Sequence, residues 1–173
     1  MNFGQIGGMV LSMSESESPG KVSAWVWPIV GALVCVGLGF LSGMSTVSGG
    51  GAWYQALEKP VGNPPAWVFG PVWTVLYVLM GIAAGRLIHR RASGTVTLFV
   101  IQFLLNLAWT PVFFGAHKIV LALVIILALG CFLGMTIRSA EKVDKISAFL
   151  LVPYLLWIMY ATYLNAMIGW LNR

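Results

Sequence analysis

Five long apolar stretches alternate with short polar ones along this chain. They cover residues 24–47, 66–88, 95–114, 119–137 and 146–171. Each is long enough to cross a hydrocarbon core of about 30 Å at a rise of about 1.5 Å per residue. Backbone groups find no water inside that core, so each stretch is predicted to be an α-helix. The pattern predicts an all-α membrane protein, a single bundle of five transmembrane helices over residues 24–173.

Composition supports the membrane class. Of the 173 residues, 59 % are hydrophobic and only 9 % are charged, whereas soluble domains carry roughly 25 % charged residues. Residues 1–23 are rich in Gly, Ser and Met and are predicted to be a disordered tail. Cys35 and Cys131 lie inside apolar stretches, where neither a disulfide nor a metal site is expected.

Basic residues are divided unequally between the two ends of the predicted helices. One end collects seven of them: Lys21, Arg86, Arg90, Arg91, Arg138, Lys142 and Lys145. The other end collects three, which are Lys59, Lys118 and Arg173. Bases at helix ends determine topology and do not indicate nucleic-acid binding. The positive-inside rule places the N-terminus in the cytoplasm, with the first inter-helix loop and the C-terminus on the opposite side.

The first inter-helix loop is rich in proline and tryptophan. Pro60, Pro64 and Pro65 make it stiff, because proline fixes its own φ and restricts the preceding residue. Pro65 is suited to open the second helix. Two interpretations remain open: a lid over the bundle, or a connector whose tryptophans lie at the headgroup level.

The middles of the spans carry aromatic and amide side chains, and no Asp, Glu, Lys, Arg or His. This argues against an ion pump or a proton-coupled carrier and removes the acid/base pair of a hydrolase. Gln102 and Asn106 are four residues apart, so they share one helix face that should point into the bundle. That face serves either an interhelical hydrogen bond or the polar anchor of a ligand cavity.

Two further patterns concern helix geometry. Pro111 predicts a kink or an early end to the third helix. Three pairs of glycines four residues apart allow close helix approach, either within one copy or between two copies. These pairs are Gly39/Gly43, Gly81/Gly85 and Gly130/Gly134.

Five blocks of residues occur in order between Trp53 and Asn165, within a match that extends over about residues 24–172. They are Trp53-Tyr54…Lys59-Pro60, Asn63-Pro64-Pro65-x-Trp67-Val68-Phe69, Trp73-Thr74-x-x-Tyr77, Gln102-x-x-x-Asn106-x-x-Trp109-Thr110-Pro111-x-Phe113-Phe114, and Val152-Pro153-Tyr154-x-x-Trp157…Ala161-Thr162…Asn165. In these blocks the chain resembles the TspO/MBR family, the tryptophan-rich sensory proteins related to the mitochondrial translocator protein.

The resemblance implies a five-helix bundle with a cavity beneath the first loop. It implies binding of porphyrins such as protoporphyrin IX, and of isoquinoline and benzodiazepine drugs. The sequence itself carries no metal or nucleotide motif, so no resident cofactor is expected. Tyr54 and Pro64 would belong to the lid. The cavity would be lined by Trp73, Asn106, Trp157 and Ala161. The leading function is a tetrapyrrole-binding protein of the lipid bilayer, acting as sensor, carrier or scavenger, either alone or as a homodimer.

Two alternatives follow from the same resemblance. One is an enzyme that degrades protoporphyrin with light and oxygen, with Trp73 and Trp157 as catalytic residues; the other is a passive transporter. This sequence also departs from the family pattern. Val61-Gly62 stand where the family often has tryptophans, which predicts a looser lid. Some members of the family bind cholesterol, and the motif proposed for this needs a tyrosine followed within five residues by Lys or Arg. The next base after Tyr163 is Arg173, which is too distant, so cholesterol binding is not expected.

Overall fold

The computed structural model describes residues 19–45 and 51–173. The helices in this part of the chain are α1 (Pro19–Ser45), α2 (Gly51–Ala56), α3 (Ala66–His89), α4 (Ser93–Thr110), α5 (Ile119–Glu141) and α6 (Lys145–Leu171), with a π-helical turn (Pro111–Gly115) after α4. Five of them, all but α2, are long and apolar enough to cross a membrane. The predicted five-helix bundle is confirmed. The predicted disordered tail falls largely on residues 1–18, which lie outside the described residues.

The core of the bundle lies between α3, α5 and α6. Helix α1 packs against α3, α5 packs against both α4 and α6, and α3 contacts α6. Most of the fully buried apolar side chains come from these inner helices, and they include Met80, Leu87, Leu129, Leu133 and Leu151. Most of α1 is exposed on its outer face, as expected for a helix that contacts lipid on one side and α3 on the other.

The seam between α1 and α3 is built from small residues. A Cβ atom added to Gly85 would overlap the backbone of Trp27 and Pro28, and one added to Gly81 would overlap the backbone of Gly31 and Ala32. These glycines therefore let the two helix backbones approach closely within one copy. A Cβ on Gly43 or Gly134 would meet open space, so a homodimer through those positions stays a prediction.

Proline sets two helix boundaries as the sequence predicted. Pro65 directly precedes α3 with φ −56°, which suits the start of a helix. The regular α-helix of α4 ends at Thr110, and the chain continues as the π-helical turn from Pro111 to Gly115. The short helix α2 was not predicted from the sequence.

An ion pair closes one end of the bundle, here called the basal end, where α3 ends and α6 begins. Arg86 Nε and Nη2 donate to the two carboxylate oxygens of Asp144 at 2.7 and 3.0 Å, which joins α3 to the α5–α6 turn. Ser147 Oγ donates to the same carboxylate at 2.6 Å. These bonds, with the charges of Arg86 and Arg90, outweigh burial and hold the pKa of Asp144 at about 2.

Candidate functional site

The opposite end, here called the lid end, is covered by the lid segment, residues 51–65. Helix α2 lies over the π-helical turn through aromatic contacts. The Trp53 ring stacks on His117 at a centroid distance of 4.3 Å and meets Phe113 edge-on at 5.6 Å. The Tyr54 ring meets Phe114 edge-on at 5.4 Å. Of the two interpretations, the lid is the one that this geometry matches.

A few hydrogen bonds also hold the lid segment. Asn172, just after α6, accepts from the Glu58 amide at 3.0 Å and donates to the Glu58 carbonyl at 3.0 Å. Tyr160 Oη donates to the Gly62 carbonyl. Within the segment, Tyr54 Oη donates to Asn63 Oδ1 at 2.8 Å. Burial raises the pKa of Tyr54 above its ordinary value.

The lid has an open corner at Val61-Gly62. The Val61 side chain is 95 % exposed, and Gly62 has φ +90° with nothing near its Cβ position. That φ is unfavourable for residues other than glycine. This corner therefore contributes backbone hydrogen-bond acceptors to the lid segment but no aromatic ring. That the lid is looser than in other family members stays a prediction.

Beneath the lid, Trp73 of α3 lies at the centre of an aromatic cluster. Its ring stacks with Tyr77 at 5.4 Å. It meets Trp157 of α6 at 6.3 Å and an interplanar angle of 86°, and Tyr154 at 6.3 Å. The structure therefore brings Trp73 and Trp157 together from different helices, as the motif resemblance implied.

Asn106 of α4 joins this cluster from below. It is only 3 % exposed. Tyr77 Oη donates to its Oδ1 at 2.8 Å, and its Nδ2 donates to Tyr154 Oη at 2.9 Å. One amide therefore connects α3, α4 and α6. The interhelical hydrogen bond, one of the two roles considered for this residue, is present.

A small cavity lies between the aromatic cluster and α5. Its lining residues are Trp73, Asn106, Trp109, Ile126, Leu129, Ile158 and Ala161. The space open to the centre of a water molecule is about 10 Å³, room for roughly one water. Pockets that enclose a drug-sized ligand measure roughly 300–1,000 Å³. The rings therefore fill most of the expected cavity in this structure.

The predicted site residues fall into two groups. Trp73, Asn106 and Ala161 line the cavity, and Trp157 contacts Trp73 beside it. Tyr54 and Pro64 belong to the lid segment and do not line the cavity. Whether any of them binds a ligand stays a prediction.

Sequence reasoning missed four lining residues. Trp109 follows Asn106 by three positions, and its indole N–H donates to Asn165 at 3.1 Å. This spacing on one helix face was the available signal. The others, Ile126, Leu129 and Ile158, are apolar residues in apolar helices, and nothing in the sequence distinguishes them from ordinary packing residues.

Two buried polar side chains in residues 19–45 and 51–173 have atoms without a hydrogen-bond partner. They are Gln102, through both amide atoms, and Trp157, through Nε1. Gln102 is fully buried, so the predicted inward face is confirmed. An unpaired polar group in an apolar surrounding carries a free-energy cost. Trp157 Nε1 in particular is a donor beside the aromatic cluster that a ligand acceptor would satisfy.

Taken together, the fold and the site define a polytopic membrane protein of five spans with an aromatic site under a short lid. The family model of TspO/MBR proteins matches residues 31–171. The chain belongs to the TspO/MBR family.

Named relatives agree with this assignment. The chain is 38 % identical to the tryptophan-rich protein TspO of Chlorobaculum tepidum over 144 residues, 80 % of this chain and 91 % of that protein. It is 38 % identical to the translocator protein of Homo sapiens over 149 residues, 82 % and 87 % of the two chains. It is 34 % identical to protein CrtK of Rhodobacter capsulatus over 127 residues, 70 % and 79 % of the two chains.

Proposed function

We propose that this protein binds a flat tetrapyrrole such as protoporphyrin IX between α3 and α6, beneath the lid segment, as a sensor, carrier or scavenger of porphyrins. The observation that carries the proposal is the contact between the Trp73 and Trp157 rings at 6.3 Å beside the small cavity. Indole rings give a flat macrocycle large apolar faces for stacking, worth roughly 0.5–1.5 kcal/mol per pair beyond burial of area.

Binding requires the site to open. The free space is far smaller than a macrocycle, so the ligand must separate the two indoles and displace part of the lid. The contacts that resist this are aromatic rings and a few partly exposed hydrogen bonds such as that from Tyr160 to the Gly62 carbonyl. Smaller flat ligands of the isoquinoline or benzodiazepine type need less opening of the same site.

The proposal is tested by titrating the purified protein with protoporphyrin IX in the dark and following the quenching of tryptophan fluorescence. Ala161 lines the cavity, so Ala161→Thr should weaken porphyrin binding more than binding of a small drug. Ala166→Thr is the matched control, since Ala166 lies on the exposed side of α6. Equal effects of the two substitutions would mean that the ligand binds elsewhere.

An enzyme that degrades porphyrin with light and oxygen is the second candidate. The observation in its favour is that two oxidisable indoles contact each other where the macrocycle would stack. Trp73→Phe and Trp157→Phe keep an aromatic ring and remove the easily oxidised indole. If the protein is an enzyme, each variant should bind protoporphyrin IX within a few-fold of the parent affinity. Porphyrin absorbance should then no longer fall under light. If the parent bleaches porphyrin no faster than detergent alone, the protein is a binder or a carrier.

Passive transport, the third candidate function, is distinguished from binding and from catalysis by measuring porphyrin flux across a membrane. Purified protein in sealed vesicles would carry porphyrin down its gradient in the dark if transport is its function. No flux above that of empty vesicles would exclude that role.

For topology, we propose that the basal end faces the cytoplasm, because it carries seven of the ten bases in the chain. Cysteines at positions 142 and 173 in a variant lacking Cys35 and Cys131 test this. An impermeant thiol reagent should label position 173 and not position 142 in intact cells. The reverse pattern would invert the orientation.

A further inference from the structure

A surface cleft lies at the basal end of the bundle, between α1 and α3 and beside the ion pair of Arg86. Its volume is about 300 Å³, and its lining residues are Ala24, Arg86, His89 and Arg90. It is separate from the aromatic site, since the two share no lining residue. The cleft is much larger than the space under the lid. Its lining is mostly basic, whereas the cavity under the lid is lined mostly by aromatic and aliphatic side chains.

The described residues at the cleft carry more positive than negative charge. Asp144 forms a two-bond ion pair with Arg86 at 2.7 and 3.0 Å. Arg90 lies near the same carboxylate, but its Nη2 is 3.8 Å from Oδ1, beyond hydrogen-bond distance. The Arg90 side chain is 53 % exposed. Among the residues that the structure describes here, one carboxylate therefore faces two guanidinium groups. The planar donors of Arg90 suit a phosphate.

The depth of the cleft fits a membrane lipid. Ala24 is the first residue of the span Ala24–Met44, and Arg86 and Arg90 stand at the end of the span Ala66–His89. The cleft therefore lies where hydrocarbon gives way to headgroups. Two large apolar residues near the lining residues are partly exposed. Trp27 of α1, whose backbone lies against Gly85, is 42 % exposed, and Ile88, which directly precedes His89 in α3, is 39 % exposed. Acyl chains would cover these residues while a headgroup occupies the cleft.

We propose that this cleft binds the phosphate of an anionic membrane lipid, with Arg90 as its main ligand. A basic cleft between transmembrane helices at the headgroup level is the arrangement that binds anionic lipid headgroups. A lipid is favoured over a free phosphate ion because the lining residues stand at the ends of two spans, with partly exposed apolar residues of α1 and α3 near them.

The test is native mass spectrometry of the purified full-length protein with phosphatidylglycerol, with phosphatidylcholine and with inorganic phosphate. We expect tighter binding of phosphatidylglycerol than of phosphatidylcholine. Arg90→Gln should weaken binding of phosphatidylglycerol about fivefold, the contribution typical of one base near anionic lipid. Ala24→Leu should weaken it as well, by filling the cleft without changing the charge.

Arg138→Gln is the matched control, since Arg138 is an exposed base at the same end of the bundle that does not line the cleft. It should change the affinity less than twofold. Equal losses for Arg90→Gln and Arg138→Gln would overturn the proposal in favour of general surface charge. Displacement of the lipid by equimolar inorganic phosphate would overturn the assignment to a lipid. Thermal unfolding followed by circular dichroism confirms that each variant is folded before its affinity is compared.

Discussion

At the basal end, α3 is fixed on two sides: its glycines meet the α1 backbone, and Arg86 forms an ion pair with the buried Asp144. At the lid end, the cover is held by ring contacts such as Trp53 on His117 and by partly exposed hydrogen bonds such as those of Asn172. Close packing and a buried charge resist separation much more strongly than exposed polar contacts do. We therefore predict that the helices separate more easily at the lid end than at the seam between α1 and α3.

The largest effect is expected at the glycine seam of the basal half. Gly85→Ala places a Cβ atom against the backbone of Trp27 and Pro28, which cannot yield as a side chain does. Overpacking that forces backbone shifts typically costs about 1–3 kcal/mol and occasionally more, and we expect the upper part of that range here. Gly134→Ala, whose Cβ would meet nothing within contact distance, should be close to neutral. Thermal unfolding in detergent compares the two. Similar melting temperatures would mean that the seam is not tightly packed.

The ion pair at the basal end should rank second. Asp144→Asn removes the charged bonds from Arg86 and Ser147 and should cost about 2–3 kcal/mol of stability. Glu141→Gln, at an exposed position nearby, is the control and should cost little.

The same carboxylate predicts a pH dependence. The pKa of Asp144 is lowered to about 2 in the folded protein, against about 3.9 in an unfolded chain. Its contribution is therefore complete above about pH 4 and is lost as the pH falls towards 2. Melting temperatures between pH 6 and pH 2 should fall more steeply for the parent than for Asp144→Asn. Parallel curves would show that another group governs acid stability.

A smaller effect is expected where the two regions meet, at Asn106. Asn106→Leu breaks the bonds with Tyr77 and Tyr154. Interhelical bonds in membranes average about 0.6 kcal/mol and reach about 1.7, so a loss of about 1–2 kcal/mol is expected. Porphyrin titration of the folded fraction then separates the two roles of this residue. Unchanged affinity would assign Asn106 to helix bridging alone.

The smallest effect on global stability is expected at the lid. Asn172→Ala removes both bonds to Glu58, and exposed bonds of this kind contribute about 0.5–1 kcal/mol. The melting temperature should hardly change, while amide hydrogen exchange at Glu58 should become faster. Asn172→Asp keeps the acceptor and loses the donor, so it should lie between the parent and Asn172→Ala. Unchanged exchange at Glu58 would mean that other contacts hold the lid.

The sequence by itself determined the five spans, the end of regular α-helix at Thr110 and the inward face of Gln102 and Asn106. These features follow from local rules. An apolar stretch in lipid must satisfy its own backbone, proline lacks an amide donor, and amides avoid lipid. The motif resemblance added the family, which the comparisons confirm.

Only the tertiary structure decided which groups meet. Arg86 pairs with Asp144, 58 residues later in the chain, and Asn106 lies between Tyr77 and Tyr154. The nearly closed cavity and its wall from α5 also depend on contacts of this kind. Such contacts depend on how each helix is rotated and tilted against its neighbours. Apart from α4, with its two buried amides, these apolar helices show no periodic polar face in their sequence that would fix the rotation, so packing between small and aromatic side chains sets it.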